Sequence, residues 1–135
     1  YGSPPAVLST ILAGRELGLQ AMASLRGIHV VEGRHMLSAD LLRALVLTKG
    51  SAKYFRCTER TPERATFVTK RGDEPEMSLS YSIEEARQAG LVKEKSGWAK
   101  NPADMLVARA SAKLARLVYP DIVHGLYAPE EFDNA

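Results

Sequence analysis

Arg109, Lys113 and Arg116 recur at spacings of four and three in one segment of the chain. On an α-helix, at 100° per residue, they fall within about 60° of one another. Three cations in a stripe are suited to one kind of chemistry, the holding of an anion. The rest of the segment is almost wholly apolar (Leu106, Val107, Ala110, Leu114, Leu117, Val118). A helix that is apolar nearly all round is buried, and buried cations need a partner. No acid lies three or four residues from any of the three, so pairs within the helix cannot neutralise them. Two readings stay open. The cations pair with acids elsewhere in the fold or snorkel to water, or they meet the phosphates of a polyanion.

A second basic cluster points the same way. Residues 49–72 hold Lys49, Lys53, Arg56, Arg60, Arg64, Lys70 and Arg71 against Glu59 and Glu63, a local excess that suits a polyanionic partner. Within it the apolar residues alternate. Phe55 and Cys57 point one way, and Tyr54, Arg56, Thr58 and Arg60 the other. Ala65 and Phe67 oppose Arg64, Thr66, Val68 and Lys70. The second face, rich in cations and hydroxyls, is either an ordinary solvated sheet face or a surface for phosphate oxygens. Trp98, the single tryptophan, and Lys100 lead into the basic helix. Trp98 is a core residue or a stacking and interface residue; Lys53 and Lys100 complete the candidate cation set.

The bulk numbers exclude other functions. The net charge of +2 on 135 residues is no generic polycation, and 45% hydrophobic content supports one domain with a real core. A lone cysteine rules out an intrachain disulfide, fits a reducing compartment, and beside Phe55 is expected in the core. No run is long and apolar enough to span a bilayer, and no signal peptide is evident. His29, His35 and His124 lack metal-ligand spacing. There is no phosphate-cradling glycine loop, and no nucleophile–base arrangement can be assigned. Catalytic residues, cofactors and metals are therefore not expected, and the chain is not expected to be an enzyme. The Glu84-Glu85 and Glu130-Glu131 pairs are expected at helix starts. The opening Tyr1-Gly2-Ser3, without methionine, suggests the core of a longer polypeptide.

The elements that must position these residues are legible. Ser3 caps a first helix with Pro4 and Pro5 in its first turn, stopped at Gly18, and a short helix follows near residues 19–25. Ile28 to Val31 and Arg34 to Leu37 form a hairpin across Glu32-Gly33. Ser38 caps a helix from Ala39 to Lys49 that Gly50 ends. Period-two strands follow at residues 53–60, 64–71 and 77–81. Ser82 to Glu85 is a capping box, and residues 91–97 form a polar loop. Asn101 and Pro102 begin the basic helix, which runs to Val118 before Pro120. The expected fold is α+β: a small β-hairpin plus a three-stranded antiparallel sheet packed with several helices and a long basic C-terminal helix, in a single domain over residues 1–135.

The order of these segments resembles a known family. Glu16 to Leu19, Gly27-Ile28, Leu37 to Leu41, Trp98, Pro102, Met105-Leu106, Ala108 to Ala110, Ala115-Arg116, Pro120-Asp121, Gly125 to Tyr127 and Pro129 to Glu131 together resemble the phage-type RecT recombinases. These are single-strand annealing proteins distantly similar to phage Redβ. The resemblance covers about Val7 to Phe132, and no single short match carries it. It implies ATP-independent binding of single-stranded DNA and annealing of complementary strands in recombination and repair, by a homo-oligomeric ring or filament. It also implies a partner exonuclease, host single-strand-binding protein, an annealed duplex intermediate, and a phage- or prophage-encoded protein of the bacterial cytoplasm. By resemblance, Arg109 and Arg116 match basic helix positions with Lys113 between them. Arg56, Arg64 and Lys70 match only in general character, as a second wall of one groove. Two alternatives use the same basic surface: a non-catalytic oligomeric interaction module, and an RNA- or duplex-binding protein.

Overall fold

The computed structural model describes residues 3–31, 34–124 and 126–131, without the side chains of Val31, Arg34 and Glu130. Tyr1-Gly2, the turn expected at Glu32-Gly33, Gly125 and Phe132 lie outside the described residues. Helix α1 (Pro4–Glu16) opens with the Ser3 hydroxyl accepting from the Ala6 N–H, so one of the orphan donors of the first turn is satisfied. Helix α2 (Ala21–Gly27) starts later than the pattern suggests. Leu19 is used instead to close α1, its N–H donating to the Gly14 carbonyl at 2.8 Å. The two helices touch at Gly14, where a Cβ would lie 1.7 Å from the Ser24 hydroxyl, so only glycine permits this approach.

Strands β1 (Ile28–Val31) and β2 (Arg34–Leu37) pair antiparallel, with Ile28 opposite Leu37. Ser38 caps α3 (Ala39–Lys49) through the Leu41 N–H. Strands β3 (Ala52–Arg60), β4 (Arg64–Arg71) and β5 (Met77–Ser82) form an antiparallel sheet in the order β3-β4-β5. Ser82 and Glu85 make the expected capping box of α4 (Ile83–Gln88). Helix α5 (Gly97–Lys100) is a single turn capped by Ser96. Then come α6 (Pro102–Val118), α7 (Pro120–Val123) and a 3-10 turn, Pro129–Glu131. The architecture is the mixed α+β arrangement expected from the sequence.

Helices α3 and α6 pack on one face of the three-stranded sheet. Phe55, Ala65, Phe67 and Tyr81 from the sheet meet Leu42, Leu45 and Val46 of α3 and Leu106, Ala110 and Leu114 of α6, all buried. Each large side chain so removed from water contributes about 1.5–3 kcal/mol. Ala110, Ser111, Ala112 and Ala115 are buried as well; their small size lets α6 sit close to its neighbours. The buried Thr69 hydroxyl is satisfied: it lies 2.6 Å from the Tyr119 hydroxyl and donates to the Tyr54 carbonyl at 2.8 Å. Ion pairs tie both ends of α6 to the sheet, Arg60 to Asp104 at the start and Arg71 to Asp121 just past the end. Arg71 also donates to the Val118 carbonyl at 2.8 Å, one of the orphan acceptors of the last turn.

Four local expectations are corrected. Strand β3 shifts register between Ala52 and Tyr54 and again between Cys57 and Glu59. The second irregularity breaks the period of two, so Arg60 leaves the outer set and reaches Asp104 on the helix side. Cys57, on this edge strand, is exposed rather than in the core. Leu91, assigned to a polar loop, is buried in the core. Asn101 stands at the N-cap of α6 but makes no side-chain capping bond.

Candidate nucleic-acid interface

The stripe on α6 exists, and its anion comes from the chain itself. Helix α6 brings Arg109, Lys113 and Arg116 to one side, each half-buried. Arg116 grips the Glu131 carboxylate with both terminal nitrogens, one contact at 2.5 Å. The Glu131 side chain has no exposed surface, and that of Arg116 is 18% exposed. The same carboxylate accepts the Ala128 N–H at 2.7 Å, and Arg109 donates to the Glu131 backbone carbonyl. Glu131 therefore does not stand at a helix start as expected: it ends a 3-10 turn and supplies the counter-charge. The sequence offered no signal for this pairing, since fifteen residues separate Glu131 from Arg116.

One carboxylate does not neutralise three cations. The Lys113 ammonium lies 5.2 Å from the centre of the Tyr81 ring, and the Arg109 guanidinium 5.1 Å from it, within cation–π range. Arg116 lies 4.0 Å from the Tyr127 ring centre. Burial pushes the Tyr81 phenol above its usual pKa, against the pull of the Arg109 cation. No ion pair to Lys113 is present among the described residues, and the Arg109 Nε is buried without a hydrogen-bond partner. The excess positive charge lies at Lys113 and Arg109, beside the edge strand β5.

The second cluster lies on the outer face of the sheet. Arg56, Val68 and Ser78 are neighbours across the three strands, as are Glu59, Thr66 and Ser80. Tyr54 pairs with Lys70, and Arg64 with Ser82. Arg56, Arg64, Ser78 and Ser80 are exposed; Thr66, Val68 and Lys70 are half-buried. Arg56 stacks over Tyr54, 4.4 Å from the ring centre. Arg64 is 3.9 Å from Glu59, the acid among these positions. Tyr54 donates to Glu76, and this bond raises its phenol pKa. Helices α3 and α6 lie on the other side of the sheet, so Arg56 and Arg64 stay exposed here, while the Thr66 hydroxyl donates to Glu59 at 3.1 Å and lies 2.7 Å from that of Ser80.

These two clusters do not form two walls of one groove within a single chain. The α6 stripe meets Tyr81 on the inner face, whereas Arg56, Arg64 and Lys70 stand on the outer one. The remaining candidates scatter. Lys53 falls at the first β3 irregularity and pairs loosely with Asp73 at 3.7 Å, both exposed. Lys100 ends α5 and is exposed. Trp98 is 1% exposed and packs edge-on to Tyr81 with ring centres 6.3 Å apart. It is a core residue, with no free face on which a base could stack. Among the described residues no group of three or more His, Cys, Asp or Glu side chains is placed to hold a metal ion. No described helix is long and apolar enough to cross a membrane.

No protein-family model matches this chain, and no curated protein matches it either.

Proposed function

We propose that this chain binds single-stranded DNA and anneals complementary strands without ATP, as a homo-oligomer of the kind its RecT-like segment order implies. The observation that carries this reading is the uncovered outer face of the sheet, where Arg56, Arg64 and Lys70 share a surface with Thr66, Ser78 and Ser80. Cations and hydroxyls are the side chains that bond phosphate oxygens. Held by its phosphates on such a face, a strand keeps its base edges free for pairing. Sequence is then read by complementarity, and the protein's part is to offset strand repulsion and hold the strands extended. Lys113, facing the Tyr81 ring of β5, extends the basic surface around the sheet edge. No group transfer is required, so no catalytic side chain or cofactor enters.

Self-association has its own support. Leu8 and Leu12 of α1, Met22 of α2 and Val30 of β1 are 58%, 51%, 63% and 42% exposed. Leu47, Met77, Leu117 and Tyr127 are the other exposed large apolar residues among those described, so half of the set lies on the N-terminal elements, the surface offered for subunit contacts. Adjacent subunits on one strand would strengthen binding.

The test is fluorescence anisotropy with an oligonucleotide, followed by its complement, at low salt. The reading predicts retained single strands and accelerated pairing. It also predicts a log–log salt slope of roughly −0.7 per phosphate held. A protein that neither retains strands nor speeds pairing does not have this function.

A further inference from the structure

The buried carboxylate on the basic helix has the chemistry of the ligand proposed for that helix. Two guanidinium nitrogens of Arg116 and the Ala128 N–H converge on the Glu131 oxygens, and Arg109 is held to the Glu131 carbonyl. Planar, bidentate donation of this kind fits a carboxylate and a phosphate equally well. Around it, among the described residues, the donors outnumber the acceptor: Arg109 Nε is buried and unpartnered, and Lys113 faces the Tyr81 ring with no ion pair. The segment supplying the carboxylate is short, a single 3-10 turn with Tyr127 exposed before it. The turn packs on α6, and the residues just before it are held by the Leu37 N–H donating to the Tyr127 carbonyl at 3.2 Å and by the buried Ala128.

We infer that Glu131 is an internal stand-in for a phosphodiester: the Pro129–Glu131 turn occupies an oxyanion site on α6, and single-stranded DNA enters that site by displacing it. The inference rests on the DNA-binding reading and adds regulation to it. With the turn seated, DNA meets the outer sheet face and Lys113. With the turn lifted, Arg109 and Arg116 become available as well. The exchange trades one anion for another, so the Arg116 charge is compensated in both forms. A competitor built into the chain lowers apparent affinity by the fraction of molecules in the open form. It thereby discriminates against isolated phosphates, which gain too little from one site to lift the turn.

Hydrogen exchange on the wild-type protein, with and without a saturating oligonucleotide, tests the displacement directly. The Ala128 amide, bonded to Glu131 in the closed form, should exchange faster when DNA is bound. Retained protection at saturation overturns the inference and leaves the DNA-binding reading standing. Glu131→Gln keeps the side-chain shape and weakens the grip of Arg116. It should bind the oligonucleotide about tenfold more tightly, the factor for a closed form that leaves one molecule in ten open. The salt slope should not change, because the same phosphates are held at the end. Glu130→Gln removes the same charge one residue away and should leave affinity near wild type; equal gains in both variants would mean a plain charge effect and overturn the inference. Should Glu131→Gln fail to fold, the exchange measurement decides alone. If neither wild type nor variant retains strands at low salt, the DNA-binding reading itself fails.

Discussion

Arg116 on α6 and Arg56 on β3 are the same residue type in opposite surroundings. Arg116 is four-fifths covered and clamped by a carboxylate with no exposed surface. Arg56 stands in water over a tyrosine ring, with no acid bonded to it among the described residues. Burial accounts for the difference. A guanidinium removed from water must find its anion inside the fold, whereas one left in water needs none and remains free to meet an anion from outside. A cation stripe on an apolar helix is thus weaker evidence for a ligand than a cation-rich face that no helix covers. The sheet face, not the helix, is therefore the surface on which the proposed polyanion contact rests.

The largest effect that could break this contrast belongs to the buried side. Trp98→Ala should lose about 3–5 kcal/mol of unfolding free energy through the cavity it leaves, read by denaturant unfolding. Trp98→Phe should recover much of that and bind DNA normally for the folded fraction. A stable Trp98→Phe protein that no longer binds strands would return Trp98 to the interface.

Next is Arg116→Ala, which leaves a buried carboxylate with one partner fewer. The loss should be about 1.4 kcal/mol, below the range for a broken buried pair, because a turn already open in about one molecule in ten lifts once its partner is gone. A thermal midpoint indistinguishable from wild type would show that the Arg116–Glu131 pair does not hold the fold. This variant is a poor probe of DNA binding, since it frees the turn and removes a candidate phosphate contact at once.

The sheet face should behave in the opposite way. Arg56→Ala, Arg64→Ala and Lys70→Ala should each stay within about 0.5 kcal/mol of wild-type stability. Each should flatten the salt slope of single-strand binding by roughly 0.7. Unchanged slopes in all three would remove the sheet face from the DNA path.

The smallest effect concerns the tie at the end of α6. The hydrogen bonds from Arg71 hold the Asp121 carboxyl below its usual range. A carboxyl with a depressed folded pKa stabilises the fold above its unfolded value, about 3.9, and that contribution fades as pH falls through the folded value. Asp121→Asn should therefore be slightly less stable than wild type near neutrality, and the two should converge in acid. Parallel stability curves down to low pH would mean that this exposed pair contributes nothing.

Most of the fold was legible because its signals are local. Ser38 and Gly50 bracket α3, Ser82 and Glu85 box the start of α4, and the alternation of Ala65 and Phe67 fixes the inner face of β4. What was hidden depends on non-local geometry. The β3 irregularities turn Arg60 toward Asp104 and leave Cys57 exposed, and no residue type in that strand announces them. Glu131 looked like one of two acids at a helix start, and its match to Arg116 required the chain to fold back on α6. The sequence located the cations of the candidate site; only the packing separates Arg116, clamped by a buried carboxylate, from Arg56, left in water on the sheet.

The central claim is that the open face of the sheet holds single strands for pairing. The most direct measurement is the annealing rate of two complementary oligonucleotides at low salt, for wild type and for the Arg56→Ala/Arg64→Ala/Lys70→Ala triple variant, with folding checked by circular dichroism. The account predicts acceleration by wild type and loss of most of it in a variant that remains folded. Full acceleration by the folded triple variant, or none by wild type, would contradict it.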